Sequence, residues 1–190
     1  MGIHTSCNCD ILWDQTLGVG LGDSSRDDML MRASGFHTDS TITLSANNTT
    51  AQENIYQITD SIEIISIQGE ITDATTLTNC TDVALQLWDG TIAVPITKES
   101  PGAVLSGFNV GAFLIKDEIA ATLLTVVNND QCRSTEASSN KQFQSFTVTQ
   151  KTGTDTFIRL QYATTDAPIN AQIEWHIIWK PVNGGTLVAV

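Results

Sequence analysis

Charge is what this sequence has least of. Lys, Arg, Asp and Glu make up 16% of its 190 residues, against about a quarter in ordinary soluble proteins. Basic residues are the scarcer sign, nine against 21 acidic ones, for a net charge of −12. Nucleic acid is bound by clustered Lys and Arg, and the nine here are scattered, so nucleic acid is excluded as a partner. The same deficit argues against anionic membrane surfaces. Long apolar runs are missing too: no segment approaches the ~18 residues that span a bilayer as a helix. The start, Met1-Gly2-Ile3-His4-Thr5-Ser6, lacks the basic residues and apolar core of a secretory signal. Its fit to a myristoylation pattern is loose. Synthesis in a cytoplasm is therefore expected, and the Asn-x-Thr sequons at Asn47, Asn48 and Asn79 carry little meaning there.

Cysteine is sparse as well. Cys7, Cys9, Cys80 and Cys132 read as free thiols in a reducing compartment. Cys7-Asn8-Cys9 with His4 gathers three soft ligands, but structural zinc takes a second pair elsewhere and none exists. No metal and no cofactor are expected. Nor do the motifs of catalysis occur. His4, His37 and His176 stand without a Ser, Cys or carboxylate in a recognisable motif. The glycine run Gly18 to Gly22 lacks the lysine of a phosphate loop. Asp23, Asp27 and Asp28 suit a helix start, and Asp60, Asp73 and Asp82 suit turns at strand ends. No catalytic residue is assigned, and the chain is not expected to be an enzyme.

What fills the space is Thr, Ser, Asn and Gln, together with many Ile and Val. Thr, Ile and Val are β-branched and favour pleated surfaces over helices. Residues 1–37 differ from the rest: the stretch Leu17 to Gly22 is glycine-punctuated, and Asp23-Ser24-Ser25 precedes two possible helical turns over 26–33. This segment reads as an arm for assembly or anchoring, and residues 38–190 as the folded domain.

From Thr38 the pattern is strands and turns. Thr41 to Leu44 alternates, with a turn over 46–48. Asn54 to Thr59 forms a short strand. Ser61 to Ile71 alternates, slips at Ile64-Ile65, then alternates again, as a β-bulge requires. Val83, Leu85 and Leu87 share a face, Asp89-Gly90 signals a two-residue hairpin, and Ile92, Val94 and Ile96 return inward. Ile119 to Val127 fits a strand or a short helix. Further strands follow at Phe143 to Lys151, Thr156 to Ala163 and Ala171 to Trp179. In the last, Ile173, Trp175, Ile177 and Trp179 lie on one side, His176 lies opposite, and Lys180-Pro181 is the expected stop. Eight to ten strands at short spacing predict an all-β fold, an antiparallel sandwich of jelly-roll type with a mostly irregular N-terminal arm.

Two surfaces are candidates for binding. Trp88-Asp89-Gly90 at a hairpin tip could stack a sugar ring, the role of Trp88 and Asp89 in a glycan-binding module; Trp175 and Trp179 read as core instead. Trp13, Leu17 and Leu21 in the arm, and Leu187, Val188 and Val190 in the apolar tail, are candidate assembly contacts. Such a tail needs a sheet edge or another subunit. A weakly charged, hydroxyl-rich exterior suits contact with other protein surfaces, since few ions must be desolvated there.

The segment Phe146-Thr147-Val148-Thr149-Gln150-Lys151-Thr152-Gly153, then Phe157-Ile158-Arg159, and finally Trp175-His176-Ile177-Ile178-Trp179-Lys180-Pro181-Val182-Asn183-Gly184-Gly185, resembles small β-sandwich structural proteins of tailed bacteriophages. The resemblance implies a virion subunit on the capsid exterior, in head decoration, head-fibre or tail position. Such a subunit would be a homo-oligomer, often a trimer, touching other virion proteins such as the major capsid protein. It carries no functional residue with it. A subunit of a non-viral extracellular filament is the remaining alternative.

Overall fold

The structure is a computed structural model that describes residues 35–45, 50–74, 77, 80–99, 101–116, 124–127, 145–164 and 170–190. The expected helix over 26–33, the contacts Trp13, Leu17 and Leu21, the cysteines at 7, 9 and 132, and the turns at 46–48 and 165–168 lie outside these residues. The end of the expected arm is already strand, since the first strand opens at Phe36.

All regular structure among the described residues is β. The strands are β1 (Phe36–Leu44), β2 (Thr50–Asp73), β3 (Cys80–Trp88), β4 (Ala93–Pro95), β5 (Phe113–Ile115), β6 (Thr125–Val127), β7 (Phe146–Thr149), β8 (Thr156–Thr164) and β9 (Ala171–Ala189). They join one antiparallel sheet in the order β1-β9-β2-β8-β3-β4, with β5 and β7 on β2 and β6 on β5. No helix among the described residues is long and apolar enough to cross a membrane.

The spine is the pair β2 and β9. The sequence suggests two strands over 54–71, but β2 runs for 24 residues without a break. It turns a corner at Asp60, which takes a left-handed φ of 55°. Opposite this one residue, β9 inserts three. Thr59 pairs with Thr186 and Ser61 with Val182, so Asn183, Gly184 and Gly185 form a wide bulge. Asn183 and Gly184 are left-handed as well, at 53° and 86°. Asn, Asp and Gly are the residues that tolerate this region. Gln150 seals the corner: its backbone N–H donates to the Asp60 carbonyl and its side-chain oxygen accepts from the Asp60 N–H at 3.0 Å.

Lys180-Pro181 therefore does not end the strand. β9 continues for 19 residues to Ala189, with Pro181 opposite Ile62. Proline is tolerated beside bulges, where ladder bonds are already broken, and this one begins two residues later. The tail pairs within its own chain: Leu187 meets Ile58, Val188 meets Gln57, and the Val190 N–H donates to the Ile55 carbonyl. Leu187 is buried in the core, whereas Val188 and Val190 remain exposed.

The Ile64-Ile65 slip is a bulge, as expected: Ile64 pairs with Trp179 and Ser66 with Ile178. Likewise Ile173, Trp175, Ile177 and Trp179 are all buried. Asp60 and Asp82 differ from the expectation of strand ends. Both sit inside strands at left-handed bulge positions, and Asp82 accepts a hydrogen bond from the Gly102 N–H at 2.9 Å.

The hairpin after Trp88 departs further. Trp88 pairs with Ala93, leaving a four-residue loop rather than two. Asp89 Oδ1 accepts from the Thr91 and Ile92 N–H groups at 2.9 and 2.6 Å, and this draws the loop outward. β4 becomes a three-residue edge strand. Ile92 and Val94 are then 59% and 52% exposed instead of inward, and only Ile96 reaches the core.

Bending at the corner turns the two halves of the sheet toward each other. Tyr56, from the first half of β2, puts its hydroxyl 2.7 Å from the Trp175 carbonyl and 3.0 Å from the Thr38 carbonyl. The Tyr162 hydroxyl accepts from the Ser45 N–H at 3.0 Å. Between them lies a core of Ile, Leu and aromatic side chains, each worth about 1.5–3 kcal/mol when fully buried.

Candidate functional site

Two groups of side chains on the outer face are candidates. The first follows from strand register. Cross-strand partners share a face, so Val188, Gln57, Phe157, Trp88 and Ala93 form one outward row across β9, β2, β8, β3 and β4. Their sequence neighbours Leu187, Ile58 and Ile158 point into the core. Val188 is exposed and the other four are half-buried. The row itself contains no ionisable group.

Trp88, the residue singled out for glycan stacking, sits at the mouth of the hairpin. The Arg159 guanidinium covers its ring at 4.0 Å from the centroid. Arg159 is itself buried, and Nε donates to Gln86 Oε1 at 2.7 Å. The Gln86 amide donates onward to Glu99 at 2.8 Å and Gln161 at 2.7 Å. Burial pushes the Arg159 pKa down, and the Glu99 charge opposes that shift. Asp89 is likewise engaged within the chain. Oδ2 accepts from Lys151 Nζ at 2.8 Å while Oδ1 holds the loop. Lys151, then the loop N–H groups, holds the Asp89 carboxyl down at about 2. One ring face of Trp88 and both oxygens of Asp89 therefore have partners before any ligand arrives.

The second group was not legible in the sequence. His37 and Asp39 lie two apart on β1, hence on one face, and His176 faces them from β9. Asp39 Oδ1 is 3.0 Å from His37 Nε2 and 2.6 Å from His176 Nδ1. The two imidazoles stack at 5.8 Å with 12° between their planes. His176 is opposite the Ile173–Trp175–Ile177 face, as the alternation predicts, but it is gathered with two other potential ligands rather than standing alone. The only hint in the sequence is His37-Thr38-Asp39; the third member is 137 residues from Asp39.

Cys80 is a buried free thiol, and burial pushes its pKa up to about 12, so it stays protonated and unreactive at neutral pH.

No family model, no curated protein and no solved structure matches the chain.

Proposed function

We propose that the chain is a non-enzymatic structural subunit that assembles with copies of itself, as a component of a virion exterior. The observation that carries the assembly is the outward row Val188, Gln57, Phe157, Trp88 and Ala93. A chain with a net charge of −12 repels its own copies over most of its surface. Self-docking is least opposed where free acids are absent. This row offers aliphatic and aromatic groups and one amide, Gln57, with the flanking acids Asp155 and Asp89 each held by a partner. Aromatic anchors ringed by polar groups are what protein interfaces favour. Here the ring includes the Gln57–Asp155 and Asp89–Lys151 pairs. Ile92 and Val94 are exposed at the β4 edge on the opposite side from Ala93, and they are not part of this row. The virion setting rests on the likeness of the C-terminal strands to phage structural proteins and on the sparsely charged exterior, and a trimer is the expected symmetry.

Light scattering on the eluting full-length chain tests the assembly. An oligomer that Phe157→Ser with Val188→Ser converts to a monomer supports the reading; a wild-type monomer at tens of micromolar sinks it. Antibody labelling of native particles tests the setting, with label on the particle surface expected and its absence decisive against it.

A further inference from the structure

We infer that His37, Asp39 and His176 form a binding site for a divalent transition-metal ion of the zinc class, built on the outer face where β1 lies against β9. The inference stands apart from the assembly reading above.

Three features carry it. The first is donor chemistry. Two imidazole nitrogens and one carboxylate oxygen suit zinc, cobalt, nickel or copper, whereas magnesium and calcium prefer all-oxygen sets. Among the described residues this is the one group of three or more such side chains whose ligand atoms converge, all within 4.8 Å of one another.

The second is distance. Tetrahedral bonds of about 2.0–2.2 Å place ligand atoms roughly 3.3 Å apart. The Asp39–His37 separation of 3.0 Å is already close, and the Asp39–His176 separation of 2.6 Å opens once a metal replaces the shared hydrogen. The His37 ring must turn out of its stack to aim a lone pair at the ion. Its side chain is 56% exposed and is held only by that stack and by Asp39, so it is the freer ligand, while His176 at 21% is the held one.

The third feature is the support beneath. The residue between His37 and Asp39 is pinned twice from the core side. Trp179 Nε1 donates to Thr38 Oγ1 at 3.0 Å, and the Tyr56 hydroxyl lies 3.0 Å from the Thr38 carbonyl. That same hydroxyl is 2.7 Å from the carbonyl of Trp175, the residue before His176. One buried tyrosine hydroxyl thus lies between the two backbones that carry the ligands and shares its single proton with their carbonyls, a support that helps preorganise the site. Three protein ligands leave a coordination position open to water or to a donor from another molecule.

The test is zinc titration of the full-length chain after chelator treatment, followed by calorimetry and by the melting temperature. A Cys7→Ser, Cys9→Ser background removes soft ligands at the N-terminus from the stoichiometry. One equivalent is expected in that background, with a zinc-dependent rise in melting temperature. His37→Ala and His176→Ala should each weaken binding by more than tenfold, since even changes one shell out cost 10–100-fold. Each should also abolish the rise, and both should still unfold cooperatively when chelator is present, which separates lost binding from a lost fold. Cobalt should broaden the ring-proton signals of His37 and His176 in the parent. No zinc binding in this background, or binding unchanged by both histidine substitutions, overturns the site and leaves a plain hydrogen-bonded carboxylate.

Discussion

The indole of Trp175 covers Gly69 across the β2–β9 ladder. A Cβ on Gly69 would lie 3.2 Å from Cδ2 and Cε3 of the ring and 2.9 Å from Cγ2 of Ile173. The glycine is there because the largest core side chain needs its space. Packing takes precedence over hydrogen bonding at this point, since Trp175 Nε1 is buried without an acceptor among the described residues.

Gly69→Ala should therefore destabilise. The alanine restricts the unfolded chain, a gain of about 0.4–1 kcal/mol, but overpacking a close-packed core costs about 1–3 kcal/mol. The net loss should appear as a lower urea midpoint with unchanged slope. A midpoint at or above the parent's would show that the ring is free to move.

Gly185→Ala should cost more. Its Cβ would meet the Ser61 carbonyl oxygen at 1.8 Å, a backbone atom that cannot step aside. The bulge must open, which unpairs Thr186 to Ala189 from β2. Amide exchange should accelerate at Leu187 and Val190 ahead of the rest of β9. Uniform protection along β9 would contradict the corner's role.

Arg159→Lys removes the planar group over Trp88 and the Nε donor to Gln86. Lysine keeps the charge but not the geometry. Leaving a buried acceptor unsatisfied costs about 1–3 kcal/mol. Chemical denaturation should register that loss, and Trp88 fluorescence should change with it. Stability equal to the parent's would mean that lysine reaches Gln86.

The hairpin loop should loosen in acid. The Asp89 carboxyl sits at about 2 in the folded chain, below its ordinary 3.8. The fold therefore favours the ionised form, and that preference is complete above 3.8 and lost as pH falls towards 2. Amide shifts of Thr91 and Ile92 should titrate in this window and stay flat in Asp89→Asn. Flat shifts in the parent would break the link between the carboxylate and the loop.

The sequence by itself determined the class of fold and the side of each strand. Alternation at Ala171 to Trp179 put Ile173, Trp175 and Ile177 inward and His176 outward, because a strand's period of two is a local property. The Ile64-Ile65 slip was readable for the same reason. Lys180-Pro181 misled because a local breaker says nothing of a bulge whose partner, Asp60, lies more than a hundred residues away. Asp89-Gly90 misled because Asp89 drew two further residues into its own loop. Only the tertiary structure decided which strands are neighbours. That choice aligned Trp88 with Phe157 and Val188, and set His176 beside His37 and Asp39. Strand order is fixed by the packing of the whole core, so no window of the sequence encodes either grouping.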